Sequence, residues 1–173
     1  ILAVKSLEVS LQQAFSNNEE LSPYAIACLA SYRSLFDYPW ATDAALPPTL
    51  ELLVKRQVFE VKEELTLKGG IPRLNPIENN VSAAVQTQYE ENPYPRWVNT
   101  GLEIKPLSVK ALMAKLELKI PRKITPLTKT LRILIAGCGT GRHALETASR
   151  FKNSHVTAID LSLSSLAYAK RKT

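Results

Sequence analysis

The stretch Ile133-Leu134-Ile135-Ala136-Gly137-Cys138-Gly139-Thr140-Gly141 is the most informative part of this chain. An apolar run of strand length stands directly before three closely spaced glycines, and a helical pattern begins immediately after them. Glycine adopts backbone angles that are closed to other residues, so a tight turn is expected between the strand and the helix. The pattern predicts a strand, a turn and a helix N-terminus in direct succession.

A second apolar run, residues 156–159, ends at Asp160. Helix N-terminal amides and the helix dipole favour a carboxylate or phosphate at the glycine turn, and an acid after the next strand can accept hydrogen bonds from a ribose diol. A nucleotide cofactor is therefore expected. The dinucleotide pattern G-x-G-x-x-G requires glycine at position 142, where this chain has Arg142, and the spacing G-x-G-x-G favours S-adenosylmethionine (SAM) over NAD.

Residues 133–141 and 159–169 resemble the first two cofactor-binding motifs of class I SAM-dependent methyltransferases. An upstream segment has the sequence Gln88-Tyr89-Glu90-Glu91-Asn92-Pro93-Tyr94-Pro95-Arg96-Trp97. It resembles the segment that precedes the catalytic domain in a bacterial group of these enzymes often associated with tetratricopeptide repeats. No such repeat period can be established within this chain.

The resemblance implies that the glycine turn holds the methionine part of the cofactor and that the acid after the second strand holds its ribose hydroxyls. The expected cofactor-binding residues are Gly137, Cys138, Gly139, Gly141, Asp160, Leu161 and Tyr89. Many members carry an acid two residues before the first glycine, where this chain has Ile135. That departure removes a polar contact near the methionine amino group.

The predicted fold class is α/β: a truncated doubly wound, Rossmann-like methyltransferase domain preceded by an all-α N-terminal region. The expected boundaries are 1–70 for the helical region, 71–129 for a proline-rich connector with short helices, and 130–173 for the start of the cofactor-binding domain. Only the first two strands of such a domain can be placed. We therefore expect a fragment of a longer protein, with little activity alone, that packs on its helical region, self-associates or is poorly ordered at its C-terminus.

Helical periodicity covers the first region. Ser22 and Pro23 predict a cap and first turn of a helix that continues through Phe36 and stops before Pro39. A longer helix is expected from the Pro47-Pro48 pair to Gly69-Gly70. Its apolar stripe, interpreted as core or alternatively as a surface for a partner, consists of Leu50, Leu53, Val54, Val58, Val61 and Leu65.

In the connector, helices are predicted over 81–91 and 108–119. The segment from Tyr89 to Trp97 combines three large rings with two prolines, and we expect it to fold back on the glycine turn with Trp97 buried. A lid that offers the hydroxyl of Tyr89 or Tyr94 to the cofactor and a packed connector both remain open. Downstream, strands are predicted over 132–136 and 156–159, a helix over 141–151, and Ser162 as the cap of the last helix.

Composition limits the other classes of function. The net charge is +6, but the basic residues are dispersed, so nucleic-acid binding is not favoured. The dispersed residues are Lys105, Lys110, Lys115, Lys119, Arg122, Lys123, Lys129 and Arg132. The two cysteines have no metal-ligand spacing, so we expect reduced thiols and no metal. The chain shows no signal-peptide pattern, and we expect a cytoplasmic protein. No membrane-spanning segment is expected.

No catalytic residue can be nominated, because His143 and His155 both have surface explanations, and the methyl acceptor is unknown. Arg142 is expected either at the cofactor carboxylate or in solvent. Two alternatives from other classes stay open. One is an NAD(P)-dependent oxidoreductase, and the other is a non-enzymatic interaction module with a degenerate cofactor site.

Overall fold

The computed structural model describes residues 2–43, 46–102, 105–117 and 130–173. The chain divides into two compact units, Ile1–Thr66 and Leu67–Thr173. The boundary lies in the last turn of a helix. The described parts of the proline-rich connector belong to the same unit as the glycine turn.

The described residues of the first unit form helices and helical turns. The α-helices are α1 (Leu2–Ser16), α2 (Pro23–Ala30), α3 (Pro39–Asp43), α4 (Glu51–Val54) and α5 (Glu60–Lys68). The 3-10 turns span Leu35–Asp37 and Pro48–Leu50, and a π-helical turn spans Lys55–Phe59 between α4 and α5. Buried side chains of α1, α2 and the following turns form one core around Ile26, Leu29, Leu35 and Trp40. The predicted all-helical character of this region is confirmed for the residues described.

The start of α2 is as predicted, but its end is not. Ser22 caps the helix by accepting a hydrogen bond from the Ala25 amide, and Pro23 lies in the first turn. The predicted continuation through Phe36 is wrong, because α2 ends at Ala30 and a separate 3-10 turn follows. Pro39 begins a short helix instead of marking a stop.

The side chain of Gln57 explains the early end of α2. Its amide donates to the Ala30 carbonyl at 3.0 Å and accepts from the Leu35 amide at 3.0 Å. The Ser34 hydroxyl donates to the Gln57 backbone carbonyl at 3.1 Å. Because the Gln57 side chain supplies partners to the Ala30 carbonyl and the Leu35 amide, these two groups stay hydrogen-bonded where the chain leaves the helix.

The apolar stripe after Pro48 is core only in its first part. Val58 is buried, and Leu50, Leu53 and Val54 pack against the core. Leu65, expected on the same face, is 51% exposed. The π-helical turn explains the difference, since its wider turn rotates all later residues relative to the face established by α4.

The second unit contains α6 (Asn80–Glu91), α7 (Val109–Lys115), β1 (Leu131–Ala136), α8 (Arg142–Arg150), β2 (Ser154–Ile159) and α9 (Leu163–Arg171). The helix predicted over 81–91 is confirmed. The helix predicted over 108–119 is shorter, with Ser108 as its cap and Lys115 as its last residue. Lys119, Arg122, Lys123 and Lys129 lie outside the described residues.

Strands β1 and β2 are parallel neighbours, paired from Leu131 with Ser154 to Ala136 with Ile159. The parallel pairing is as predicted, with β1 beginning one residue and β2 two residues earlier than expected, but the prediction that both strands are buried is wrong for the described chain. One face is exposed in the described chain, and Leu134 on it is 65% accessible. Mixed helix and parallel sheet support an α/β fold in general. No helix among the described residues is both long and apolar enough to cross a membrane.

We predict that Gln57→Leu lowers the free energy of unfolding by about 2 kcal/mol, because it leaves the Ala30 carbonyl and the Leu35 amide without partners in a partly buried place. Urea unfolding followed by circular dichroism measures this. Gln13→Leu, at an exposed position of α1, is the matched control and should change stability by less than about 0.5 kcal/mol. Equal stability of the two variants would contradict the role given to Gln57.

Candidate functional site

The glycine turn joins β1 to α8 and uses each of its glycines for backbone conformation. Gly137, Gly139 and Gly141 have φ values of +69°, +52° and +82°. These angles lie in the left-handed region, which costs other residues about 1–2 kcal/mol. The sequence prediction that this turn requires glycine is confirmed at the three positions.

Asp160 joins the glycine turn to the loop after β2. One carboxylate oxygen accepts the Gly139 amide at 2.7 Å, and the other accepts the Ser162 amide at 2.9 Å. The amides of Gly137 and Cys138 both donate to the Ile159 carbonyl, at 2.9 and 3.1 Å. The two loops at the carboxyl ends of the strands are thus fixed to each other through backbone groups and one carboxylate.

Space for a ligand is open at the first glycine. A Cβ atom added to Gly137 would meet no atom within 4 Å, and the residue is exposed. A carboxylate offers about four acceptor positions, so Asp160 keeps some after its two backbone contacts. Leu161, beside it, is 43% exposed and offers an apolar surface at the same edge.

Gly141 meets a different constraint. A Cβ atom there would lie 2.5 Å from the Cβ of Ala169 in α9. This glycine is therefore required by close packing between the start of α8 and α9, as well as by its backbone angle. The space beside Gly137 is open, whereas the space beside Gly141 is filled by Ala169.

The upstream segment contacts the glycine turn, as predicted. Trp97 is buried, and its indole N–H donates to the Thr140 carbonyl at 2.9 Å. The Thr140 hydroxyl donates to the Pro95 carbonyl at 2.6 Å. The peptide bond between Tyr94 and Pro95 is cis.

Tyr89 reaches the site through its backbone. Its carbonyl accepts the Ser162 hydroxyl at 3.0 Å, while its side chain is 41% exposed. Tyr94 is 74% exposed, and its carbonyl lies 3.8 Å from where a Cβ of Gly139 would stand. A tyrosine hydroxyl on the cofactor remains a prediction.

Sequence reasoning missed the contact between Glu90 and the start of α9. The Glu90 carboxylate accepts the amide of Ser164 at 3.1 Å and its hydroxyl at 2.9 Å, and it pairs with Lys68 at 2.6 Å. Partial burial alone would raise the pKa of Glu90, but the bonds from Lys68 and Ser164 outweigh it and lower the pKa. No local pattern signals a contact over such a separation.

Thr140 and Tyr168 were also missed, although both lie inside quoted motifs. Thr140 is only 1% exposed, and Tyr168 is only 3% exposed. The Tyr168 hydroxyl donates to the Trp97 carbonyl, and the rings of Tyr168 and Trp97 pack edge to face at 5.7 Å. A tyrosine among the apolar residues of a helix indicates a buried hydroxyl that needs a partner, and that signal was available.

The other residues considered for a catalytic or cofactor-binding role lie at the surface. His143 and His155 are exposed, and His155 lies within β2 instead of before it. Arg142 pairs with Glu146 one turn along α8, with 2.8 Å between its Nε and the carboxylate. Within the described residues, no group of three or more His, Cys, Asp and Glu side chains is arranged to hold a metal ion.

Cys138 contributes a buried thiol to the turn. Burial, and secondly the negative charge of Asp160, raise the pKa of this thiol to about 11. The thiol is therefore neutral near pH 7, and a nucleophilic role is disfavoured. Cys28, in contrast, is exposed on α2.

We predict that a thiol reagent such as Ellman's reagent modifies Cys28 rapidly and Cys138 slowly at pH 7.5, because only a buried, protonated sulfur is available at position 138. The Cys138→Ser variant reports the reaction rate of Cys28 alone, and the Cys28→Ser variant reports that of Cys138 alone. Similar rates for both thiols would contradict the burial described for Cys138.

We also predict that Gly141→Ala destabilises the protein more than Gly137→Ala. The Gly137 variant has only backbone strain, about 1 kcal/mol, whereas the Gly141 variant adds overlap with Ala169 and reaches about 3 kcal/mol in total. Urea unfolding of the two variants measures the difference. Equal losses would show that α8 and α9 are not as close as described.

Comparison with known proteins adds one match. No curated protein and no solved structure matches the chain. A protein-family model described as a methyltransferase domain matches residues 133–173. That range begins in β1 and runs through the glycine turn, α8, β2 and Asp160 to the end of the chain. The match supports a SAM-dependent methyltransferase domain in this part of the chain.

Proposed function

We propose that this protein binds S-adenosylmethionine at the glycine turn and takes part in methyl transfer to an acceptor that the sequence does not identify. The observation that carries the proposal is the carboxylate of Asp160, held by the Gly139 and Ser162 amides at the edge of the turn. The family match over residues 133–173 supports the same activity. The doubly wound topology expected from the resemblance is part of this proposal.

The residues present fit the cofactor. The backbone at Gly137 is bare and accessible, which suits the methionine part, and the N-terminus of α8 follows directly, where a carboxylate is favoured by the helix dipole. Asp160 keeps acceptor capacity for a ribose diol, and the exposed Leu161 provides an apolar surface for the base. Cys138 and Gly139 would contribute backbone to the same wall.

When bound, the cofactor supplies a methyl group on a positively charged sulfur, which an acceptor attacks in line. The task of this chain is to bind and orient, which alone can account for much of a transfer rate. Asp160 would hold the ribose end of the cofactor, and the glycine turn would hold its methionine end. We nominate no base among these residues: the Cys138 thiol is neutral near pH 7, and His143 and His155 lie at the surface.

Two observations bear on the alternatives. An oxidoreductase of the dinucleotide type requires glycine where Arg142 stands, and Arg142 instead begins α8 and pairs with Glu146. A degenerate, non-enzymatic site was suggested by Ile135. That side chain is buried in a core cluster with Cys138 and Ala144, so its apolar character serves packing of the sheet. Cofactor binding by the intact turn is therefore favoured over both alternatives.

A cytoplasmic location belongs to the same proposal. Its support is that Cys28 and Cys138 are both free thiols, which is usual in a reducing compartment. The expected link to tetratricopeptide-repeat proteins and the expected self-association remain predictions.

The test is a titration of the 15N-labelled protein with S-adenosylhomocysteine, the stable demethylated product, followed by NMR. The amides of Gly137, Gly139 and Gly141 should shift, whereas those of Gly69, Gly70 and Gly101 serve as internal controls. NAD in a parallel titration should bind more weakly, and tighter binding of NAD would overturn the assignment.

The role of Asp160 requires a ligand control, because the side chain also holds the two loops together. Asp160→Ala should weaken S-adenosylhomocysteine binding by about 1 to 3 kcal/mol. A ligand lacking the ribose 2′-hydroxyl should bind the wild type more weakly, yet should lose little further in the variant. If the missing hydroxyl costs the same in both proteins, Asp160 does not contact the ribose.

A further inference from the structure

Trp97 and Thr140 form a bridge between the upstream segment and the centre of the glycine turn. The Thr140 carbonyl, which accepts the Trp97 indole N–H, belongs to the same planar peptide unit as the Gly141 amide. That amide donates to the Cys138 carbonyl at 3.0 Å. Fixing the carbonyl therefore fixes the orientation of the Gly141 amide and closes the turn.

Trp97 is itself held in place. Its carbonyl accepts the Tyr168 hydroxyl, and its ring packs edge to face on Tyr168 of α9. The nearby Lys172 ammonium lies 5.5 Å from the centre of the indole ring. These contacts with Tyr168 and Lys172 hold Trp97 in the position from which its indole N–H donates to the Thr140 carbonyl.

The same segment reaches the second loop of the site. The Ser162 hydroxyl donates to the Tyr89 carbonyl and also caps α9 by accepting the Ser165 amide at 3.0 Å. Glu90 holds both the amide and the hydroxyl of Ser164. One short segment therefore fixes the conformation of both loops that Asp160 connects.

We propose that Trp97 is a positioning residue for the cofactor site, whose indole N–H holds the glycine turn in its binding-competent conformation through the Thr140 carbonyl. This inference rests on the proposed function. It assigns the segment Tyr89–Trp97 a direct effect on cofactor affinity through its backbone contacts and Trp97, without requiring a tyrosine hydroxyl on the cofactor. Cofactor binding and docking of the segment are then thermodynamically coupled.

The experiment compares two Trp→Phe variants by the same S-adenosylhomocysteine titration, at a temperature well below both unfolding midpoints. Trp97→Phe removes the indole N–H that Thr140 needs and keeps an aromatic ring, and we expect about tenfold weaker binding. Trp40→Phe is the matched control in the first unit. Trp40 is also buried, but its indole N–H has no hydrogen-bond partner in the described structure, so affinity should be unchanged.

A second pair covers the case in which Trp97→Phe fails to fold. Thr140→Ser keeps the hydroxyl that donates to the Pro95 carbonyl, whereas Thr140→Val removes it at similar volume. We expect the Ser variant to bind like the wild type and the Val variant to bind several-fold more weakly. In the ligand-free protein, the Gly141 amide signal should move in Trp97→Phe and stay in Trp40→Phe.

The outcomes separate the two proposals. Failure of the wild type to bind S-adenosylhomocysteine would overturn the proposed function and this inference with it. Normal binding by the wild type together with unchanged affinity in Trp97→Phe would overturn the positioning role alone. Equal affinities of the Ser and Val variants at position 140 would overturn the effect assigned to the backbone contacts of the segment, because the two variants differ in the hydroxyl bond to the Pro95 carbonyl.

Discussion

The carboxylate of Asp160 holds together the two loops at which we propose that the cofactor binds. It accepts the Gly139 amide with one oxygen and the Ser162 amide with the other, so the loops after β1 and β2 keep a fixed spacing. Bonds of this type, from backbone N–H to a charged acceptor, are stronger than neutral ones. The Gly137 and Cys138 amides, which donate to the Ile159 carbonyl, further restrain a turn whose glycines are intrinsically flexible. The two loops are therefore held together by groups of the chain itself.

Local rules predicted much of this arrangement. The three glycines with positive φ, the caps at Ser22 and Ser162, and the parallel strands all follow from short stretches of sequence whose physical meaning does not depend on the rest of the chain. The burial of Trp97 could be anticipated as well, since large rings are costly to expose, but the same argument did not distinguish Trp97 from Tyr94, which is 74% exposed.

Contacts between distant positions could not be predicted in the same way. The side chain of Gln57 supplies hydrogen-bond partners to Ala30 and Leu35 at the end of α2. The sequence around Ala30 gives no sign of this contact. The bonds of Glu90 to Ser164 depend equally on how α6 and α9 meet. Helical periodicity predicts which face of a helix is apolar. It does not predict which polar side chain will hydrogen-bond to a backbone group that is distant in sequence.

The bridge from Trp97 to Thr140 joins residues upstream of β1 to the same compact unit as the glycine turn. The family match starts at Ile133, yet Thr140 and Ser162 both use carbonyls or N–H groups of the segment that ends at Trp97. Removal of the residues before β1 would take away the hydrogen-bond partners of Thr140, Ser162 and the Tyr168 hydroxyl, all of which are buried. The compact unit that contains the glycine turn is thus longer than the range of the family match, and it begins at Leu67, before α6.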